Sequence, residues 1–290
     1  MAFDKLKIFF EMIKIEHTLF ALPFAYTGAL LVNKKIPAGH DLIWITLAMA
    51  GARTAAMSLN RIIDRHIDAK NPRTANRALP KGLLSAAEVW IYALISFALL
   101  LVSAYNLSSL AFKLFPVAVG VLFLYPYTKR FTWACHLILG AALGLAPLGA
   151  WIAIANSVDL APLLLAAGVT FWVAGFDIIY ACDDYDFDRA EGIYSIPARF
   201  GIRRGLQVSV IFHILALALF TAVALVLQLG IFYYAGMFTV AALLFYQHRL
   251  VSPGDLSKSG MAFFNLNAGL SGATFLFTLV DLLVPYNIFW

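Results

Sequence analysis

The sequence predicts an all-α polytopic membrane protein, with about nine transmembrane helices bundled around a central cavity. Of its 290 residues, 62% are hydrophobic and 13% are charged, and the mean hydropathy is +0.83, outside the range of soluble globular domains. Apolar stretches of about 17–23 residues recur along the chain, and a helix of that length crosses a bilayer. No linker or low-complexity segment separates them, so we expect a single domain over residues 1–290.

The nine predicted spans follow these apolar stretches in chain order. They lie near 17–32, 41–60, 88–105, 110–125, 133–155, 160–182, 206–227, 229–246 and 261–284. His17, at the start of the first stretch, is interpreted as an interfacial helix cap rather than a proton shuttle. The two cysteines lie in or beside apolar stretches, which predicts a packing role rather than a disulfide framework.

The basic residues predict how the bundle is oriented. Most of the 21 lysine and arginine residues fall in alternate loops that lie on the same side as the N-terminus. By the positive-inside rule, that side is cytoplasmic. We therefore expect a protein integral to the plasma (inner) membrane of a bacterial-type cell. The formal net charge of +5 reflects this topology, and the sequence indicates neither a nucleic-acid partner nor an obligate protein partner.

A first polar stripe ends the second predicted span on the cytoplasmic side. Arg53, Asn60, Asp64 and Asp68 follow one another at steps of four or seven residues, which places them on one helix face. Ionisable groups beside a membrane are costly unless they are paired, hydrated or metal-bound, so they indicate a functional site. The alternative interpretation is a snorkelling arginine followed by an ordinary hydrated helix end.

A second stripe ends the sixth predicted span. Asp177, Tyr180, Asp184 and Asp188 have offsets of about 0, 3, 7 and 11 residues, which predicts a single helix face. Carboxylates this close repel one another, and bound Mg²⁺ is the simplest remedy because it prefers oxygen ligands. The alternative is an acidic loop that follows a membrane helix.

Two basic groups lie on the same predicted side of the membrane. Lys129 and Arg130 follow a Tyr-Pro-Tyr helix break, and Arg73 and Arg77 lie in a loop rich in Pro, Asn and Gly. All four could donate charge-assisted hydrogen bonds to a phosphate or a carboxylate. The alternatives are a positive-inside anchor for the first pair and binding of anionic lipid head groups for the second.

Together these motifs resemble the UbiA family of intramembrane polyprenyltransferases over nearly the whole chain. The resemblance rests on Asn60-x3-Asp64-x3-Asp68, on Tyr-Pro-x2-Lys129-Arg130, and on Asp177-x2-Tyr180-x3-Asp184-x3-Asp188. It implies a nine-helix bundle whose central cavity opens to lipid and whose motifs bind a prenyl diphosphate through two Mg²⁺ ions. The chain departs from many members in having Arg61 after Asn60, and in its His17-Thr18 start, which bears on the identity of the acceptor.

The resemblance implies the transfer of a polyprenyl group from polyprenyl diphosphate to the ring of a hydroxyaromatic acid. The expected acceptor is 4-hydroxybenzoate, in respiratory quinone (ubiquinone or menaquinone) biosynthesis, with a dihydroxynaphthoate as the alternative. Haem O synthase-like farnesyl transfer stays open within the superfamily. A membrane transporter is the more distant alternative, but its ionisable groups would gather near the bilayer midplane rather than at the cytoplasmic helix ends.

The expected roles of the site residues follow from that reaction. The five expected Mg²⁺ ligands are Asn60, Asp64, Asp68, Asp184 and Asp188. Lys129, with Arg73 or Arg77, is expected to bind the diphosphate, and Arg130 to pair with the carboxylate of the acceptor. Arg53 is expected to orient Asp64 or touch the aromatic substrate, Asp177 and Tyr180 to contribute to substrate binding, and Asp184 to take the ring proton.

Overall fold

The computed structural model describes residues 2–14 and 18–284, and within these ranges the chain is almost entirely helical. The helices are α1 (Ala2–Ile13), α2 (Thr18–Asn33), α3 (Gly39–Lys70), α4 (Ala86–Leu107), α5 (Ser109–Thr128), α6 (Cys135–Ala155), α7 (Leu160–Ala181), α8 (Tyr185–Glu191), α9 (Ile196–Phe200), α10 (Ile202–Leu227), α11 (Ile231–Arg249) and α12 (Ser259–Leu283). His17 lies outside the described residues.

The predicted all-α membrane class is confirmed. Seven segments of the described chain are long and apolar enough to cross a membrane, namely α3, α4, α5, α6, the segment from α7 through α8, α10 and α12. Helices α2 and α11 coincide with the other two predicted spans. The described residues are therefore compatible with nine crossings, and the count of nine stays a prediction.

Short polar residues decide where several helices begin and end. Ser85 accepts a hydrogen bond from the backbone N–H of Glu88, whose side chain accepts one in return from the backbone of Ser85, a capping box that starts α4. Ser108 ends α4, and its side chain accepts a hydrogen bond from the backbone N–H of Ala111 in the first turn of α5. The chain can therefore reverse direction within one residue between two membrane-length helices.

Helix α7 is the centre of the packing, because α6 and α10 lie against it. Trp172 of α7 packs between Phe24 of α2 and Phe176, all of them buried. Gly140 of α6 allows a close approach of backbones, since a Cβ there would lie 2.2 Å from the carbonyl oxygen of Thr170. The side of α7 that carries the second stripe is thus held by close helix contacts on both flanks.

Two local features differ from the sequence-based expectation. The second stripe is not one continuous helix, because α7 ends at Ala181, a 3₁₀ turn covers Cys182–Asp184, and α8 continues from Tyr185. Helix α1 forms a separate element whose buried residues Phe9, Met12 and Ile13 pack beside α3 and α4. Tighter winding at the 3₁₀ turn redirects Asp184 relative to Asp177, which uniform helical spacing does not predict.

Candidate active site

The first stripe is buried at the carboxyl-terminal end of α3. Asp64 and Asp68 are 1% and 4% exposed, and the Asn60 side-chain amide donates a 3.0 Å hydrogen bond to Oδ2 of Asp64. Steps of four residues place these three side chains on one face, as the sequence predicts. Buried carboxylates require partners, because desolvation of an isolated charge is costly.

Lys129 and Arg130, the basic pair at the end of α5, both contact Asp64. Lys129 Nζ is 2.7 Å from Oδ2 of Asp64, and Arg130 Nη2 is 3.0 Å from Oδ1. Arg130 also donates hydrogen bonds to the backbone oxygens of Pro126 and Ile63, at 2.9 and 2.8 Å. These ion pairs and hydrogen bonds connect the end of α5 to α3, and they fix the Arg130 guanidinium between the two helices.

The loop between α3 and α4 folds back over the same face. Arg77 Nη1 lies 2.7 Å from both carboxylate oxygens of Asp68, and the Thr74 hydroxyl donates to the backbone oxygen of Asp68 at 3.0 Å. Asn71 ends α3 in an extended conformation, which turns the chain into this loop. The basic loop thus covers the end of the first stripe.

Arg73 of this loop connects the first stripe to the second. Its Nε donates to Oδ1 of Asp184 at 2.9 Å, Nη2 forms a second short contact with the same carboxylate, and Nη1 contacts the Tyr180 hydroxyl. Asn71 donates to Asp184 as well, at 2.9 Å. Burial lowers the pKa of Arg73, but the Asp184 hydrogen bond and the charges of Tyr180 and Asp184 raise it, and the pKa ends above its ordinary value.

Asp188 lies beyond the 3₁₀ turn, in α8, and is 8% exposed. The Ser195 hydroxyl donates to its Oδ2 at 3.0 Å and also accepts from the backbone N–H of Ala198 at the start of α9. Gly192 ends α8 with a φ of 68°, a conformation that other residues rarely adopt. The turn at Gly192 brings Ser195 back to Asp188. A further ion pair, Lys70 to Glu191 at 2.6 Å, joins the ends of α3 and α8.

Asp177 has a partner that the sequence did not suggest. His136, in the first turn of α6, is 2% exposed, and its Nδ1 lies 2.7 Å from Oδ2 of Asp177. The two residues are 41 positions apart, and a histidine near a helix start carries no signal of this pairing. Asp177 therefore differs from Asp64, Asp68 and Asp184, whose ion pairs are formed with lysine or arginine.

An apolar cavity of about 440 Å³ lies in the bundle, and its lining includes Met57 and Phe176, each within one turn of a stripe residue. It is lined mainly by aliphatic side chains of α3, α4, α5, α6 and α7. Arg53 and Tyr125 lie in its wall, and the Tyr125 hydroxyl donates to the backbone oxygen of Ala56 at 3.0 Å. Along α5 the lining runs from Ala111 to Tyr125, about 20 Å at 1.5 Å per residue.

The donor atoms of the two stripes fit a hard divalent cation such as Mg²⁺. They are carboxylate and amide oxygens, and Oδ1 of Asp64 is buried yet accepts no hydrogen bond, although Arg130 lies 3.0 Å away. Among residues 2–14 and 18–284, no three acidic, histidine or cysteine side chains already stand close enough to form a metal site. The carboxylates face cationic side chains instead.

The sequence matches a known protein family over most of its length. The sequence pattern of the UbiA prenyltransferase family matches residues 21–269. The chain belongs to the UbiA prenyltransferase family. Membership confirms the predicted family and enzyme class, and the seven long apolar helices fit an integral membrane protein.

Relatives within the family extend over most of the chain. A 4-hydroxybenzoate octaprenyltransferase of Vibrio cholerae is 30% identical over 270 residues, covering 91% of this chain and 93% of its own. One from Yersinia pseudotuberculosis is 31% identical over 242 residues, or 82% of each chain. The apo structure of a UbiA homolog from Aeropyrum pernix K1 superposes with a TM-score of 0.85 at 36% identity, covering 93% of this chain and 99% of that one.

A more distant structure shares the fold. A UbiA homolog from Archaeoglobus fulgidus bound to DMAPP and Mg²⁺ has a TM-score of 0.64 at 20% identity, with 92% of this chain and 99% of that chain covered. DMAPP and Mg²⁺ are thus ligands of a protein that has the same fold. The roles of individual residues in the present chain stay predictions.

Proposed function

We propose that the protein transfers a polyprenyl group from polyprenyl diphosphate to the ring of 4-hydroxybenzoate, a step of respiratory quinone biosynthesis. The names of the Vibrio and Yersinia relatives support the acceptor and the reaction. The observation that carries the proposal is that two acidic stripes, 120 residues apart between Asp64 and Asp184, meet through the Arg73 loop. They follow turns of α3 and α7 that line the apolar cavity, and we call this end of the cavity its mouth. We further propose that residues 1–290 act as one domain in the plasma (inner) membrane, with this mouth cytoplasmic.

The cationic side chains at the mouth bind the diphosphate in this proposal. Lys129, Arg73 and Arg77 already make ion pairs in the region, so little reorientation is needed to direct their donors at phosphate oxygens. Charge-assisted hydrogen bonds of this kind favour the departing diphosphate, because its charge grows as the C–O bond breaks. Tyr180 stays in contact with Arg73 and keeps that guanidinium in place.

The acidic side chains would hold the metal. Asn60, Asp64 and Asp68 would do so from α3, and Asp184 and Asp188 from the second stripe, with two Mg²⁺ ions as the proposed number. When bound, Mg²⁺ neutralises negative charge on the diphosphate leaving group. The Asn60 hydrogen bond and the Ser195 hydrogen bond orient Asp64 and Asp188 for this purpose.

The apolar cavity accommodates the first isoprene units and excludes water from the reacting carbon. Its wall is almost wholly aliphatic, so an allylic cation formed there meets few nucleophiles other than the acceptor ring. The rest of a long chain can remain in lipid, since the polyprenyl tail and the lipid are equally apolar. The headgroup meanwhile stays at the polar end of the cavity.

Two arginines are available to the carboxylate of the acceptor. Arg130 is the residue expected from sequence, but both of its terminal nitrogens already donate to backbone oxygens, which leaves only its remaining N–H groups for a ligand. Arg53 lies in the cavity wall, where an aromatic acid has to enter to reach the prenyl carbon. We therefore propose that Arg53 contacts the acceptor carboxylate and that Arg130 supports it from the position beside Asp64.

The test is a product assay with purified protein in lipid nanodiscs, Mg²⁺ and a labelled polyprenyl diphosphate. It is run separately with 4-hydroxybenzoate and with a dihydroxynaphthoate, and products are identified by mass. The expected result is a prenylated 4-hydroxybenzoate formed only with Mg²⁺. Prenylation of the naphthoate alone would refute 4-hydroxybenzoate as the acceptor and identify the naphthoate instead. The absence of both products would refute the proposed reaction.

A further inference from the structure

His136 is held at both ring nitrogens by groups that belong to two different elements. Nδ1 lies 2.7 Å from Oδ2 of Asp177 in α7, and Nε2 lies 3.2 Å from the backbone nitrogen of Ile196, the first residue of α9. The ring is almost completely buried, at 2% exposure. Its position is therefore set by α7 and α9 as well as by its own helix.

These contacts determine where the imidazole proton lies. The backbone N–H of Ile196 can only donate, so Nε2 must be an unprotonated acceptor. The proton of the neutral ring is then on Nδ1, which donates to the carboxylate of Asp177. Oδ2 of Asp177 is thus fixed by a hydrogen bond from a neutral group, and Oδ1 has no hydrogen-bond partner among residues 2–14 and 18–284.

The same contacts connect Asp177 to the end of the second stripe. Ile196 follows Ser195, and the Ser195 hydroxyl donates to Asp188. His136 therefore links the position of Asp177 to the chain segment that also orients Asp188. A change at His136 is expected to alter the orientation of Asp177 first, since that hydrogen bond is direct.

Asp177 directly follows Phe176, a residue that lines the apolar cavity. Val173, one turn earlier on the same face of α7, and Phe176 both line the cavity, as does Leu139, one turn after His136 in α6. The side chain of Asp177 is 24% exposed. Asp177 is thus a partly exposed carboxylate that follows directly on the cavity-lining part of α7.

Asp177 is also the one carboxylate of the two stripes that is not a proposed metal ligand. Asp64, Asp68 and Asp184 pair with lysine or arginine, which disfavours protonation, and these residues are the proposed metal ligands. Because Nε2 of His136 accepts a hydrogen bond from Ile196, the imidazole that donates to Asp177 is neutral, and the contact does not compensate the charge of the carboxylate. The second stripe therefore contains carboxylates in two distinct electrostatic environments.

From this geometry we infer that Asp177 accepts the ring proton of the acceptor and that His136 is the residue that positions it. The inference rests on the proposed function. The allylic C–O bond breaks and the diphosphate takes its electron pair, and a new C–C bond forms at the ring carbon ortho to the hydroxyl. The C–H bond at that carbon then breaks, its electrons restore the aromatic ring, and its proton passes to Asp177, which returns it to water.

The deciding experiment measures a ring-deuterium isotope effect. 4-Hydroxybenzoate carrying hydrogen or deuterium at both positions ortho to the hydroxyl is compared in wild type, Asp177→Asn and the control Asp186→Asn, an exposed residue of α8. Asp177→Asn should lower kcat by about 10²–10⁴-fold, the usual contribution of a general base. Its KM for prenyl diphosphate should change little, and its isotope effect should exceed that of wild type because proton removal becomes slower.

Two His136 variants separate positioning from folding. His136→Asn keeps an N–H donor the same number of bonds from the backbone as Nδ1, and it should retain most of the wild-type kcat. His136→Leu lacks the donor and should lower kcat and raise the isotope effect, by less than Asp177→Asn. Each variant is first checked for a monodisperse folded fraction by size-exclusion chromatography.

The possible outcomes are distinguishable. If wild type forms no prenylated 4-hydroxybenzoate, the proposed function fails and this inference fails with it. If wild type is active and Asp177→Asn retains its kcat, or loses kcat with an unchanged isotope effect, only the proton-transfer inference is overturned. Equal loss in His136→Asn and His136→Leu would overturn the positioning role.

Discussion

Replacing Asp64 by Asn separates the structural from the catalytic contribution of the first stripe. The change removes one negative charge and keeps the shape, and the new amide can still take part in the hydrogen bond with Asn60. Asp64 contacts two cations, Lys129 at 2.7 Å and Arg130 at 3.0 Å, so the variant leaves both without this partner.

The expected effect on folding is small. Breaking a fully buried ion pair costs roughly 3–5 kcal/mol, because the remaining charge cannot be hydrated. Here the side chains of Lys129 and Arg130 are 29% and 32% exposed, and Arg130 keeps two backbone acceptors. We therefore expect a loss of about 1 kcal/mol in the free energy of unfolding, closer to the value for exposed pairs.

The expected effect on turnover is large. A unit charge about 4 Å from an opposite charge contributes roughly 4 kcal/mol at an effective dielectric constant near 20. If Asp64 stabilises charge in the transition state to that extent, its loss lowers the rate by about a thousandfold. The assay compares initial rates of prenyl transfer across a Mg²⁺ titration with thermal unfolding midpoints of the same preparations, using Asp186→Asn as the matched control. Near-wild-type turnover of Asp64→Asn at saturating Mg²⁺ would refute the assignment, and a rate that falls only with the folded fraction would show that Asp64 serves as a structural counter-ion.

Three further predictions concern the diphosphate site, the metal and the helix packing. Arg77→Met should raise the KM for prenyl diphosphate by about 10–100-fold in steady-state assays, since a charge-assisted hydrogen bond contributes roughly 1.5–3 kcal/mol; an unchanged KM would contradict this. EDTA should abolish transfer and added Mg²⁺ should restore it, whereas persistent turnover without divalent ions would exclude the metal role. Gly140→Ala should lower the thermal unfolding midpoint in detergent by an amount corresponding to about 1–3 kcal/mol, because its Cβ would lie 2.2 Å from the Thr170 carbonyl oxygen; Gly149→Ala, with nothing within 4 Å, should not lower it.

The sequence predicted the helices and the faces of the stripes because both follow from local spacing. The step of four residues that places Asp64 and Asp68 on one face is a property of α3 alone. The apolar stretches likewise predicted the long helices near their observed positions. These features need no knowledge of which helix packs against which.

Features that depend on tertiary contacts were not predictable in the same way. The pairing of His136 with Asp177 requires the packing of α6 against α7, and no spacing in the sequence encodes it. The contacts of Arg130 with two backbone oxygens depend on where α5 ends beside α3, so its basic character alone suggested a ligand-binding role. The sequence analysis also did not predict the 3₁₀ turn before Tyr185. The spacing of the acidic residues fits one continuous helix almost as well as it fits a helix interrupted by this turn.

Helix α3 is longer than the hydrocarbon core of a bilayer is thick. Its 32 residues extend about 48 Å, against about 30 Å for the acyl region, and Asp64 and Asp68 lie in its last two turns. The length of α3 therefore sets the distance between the acyl chains and the diphosphate headgroup bound at its end. In a thicker membrane the carboxylates lie closer to the hydrocarbon, and in a thinner membrane the cavity mouth lies outside the hydrocarbon. Turnover in vesicles should therefore be highest at an intermediate lipid chain length.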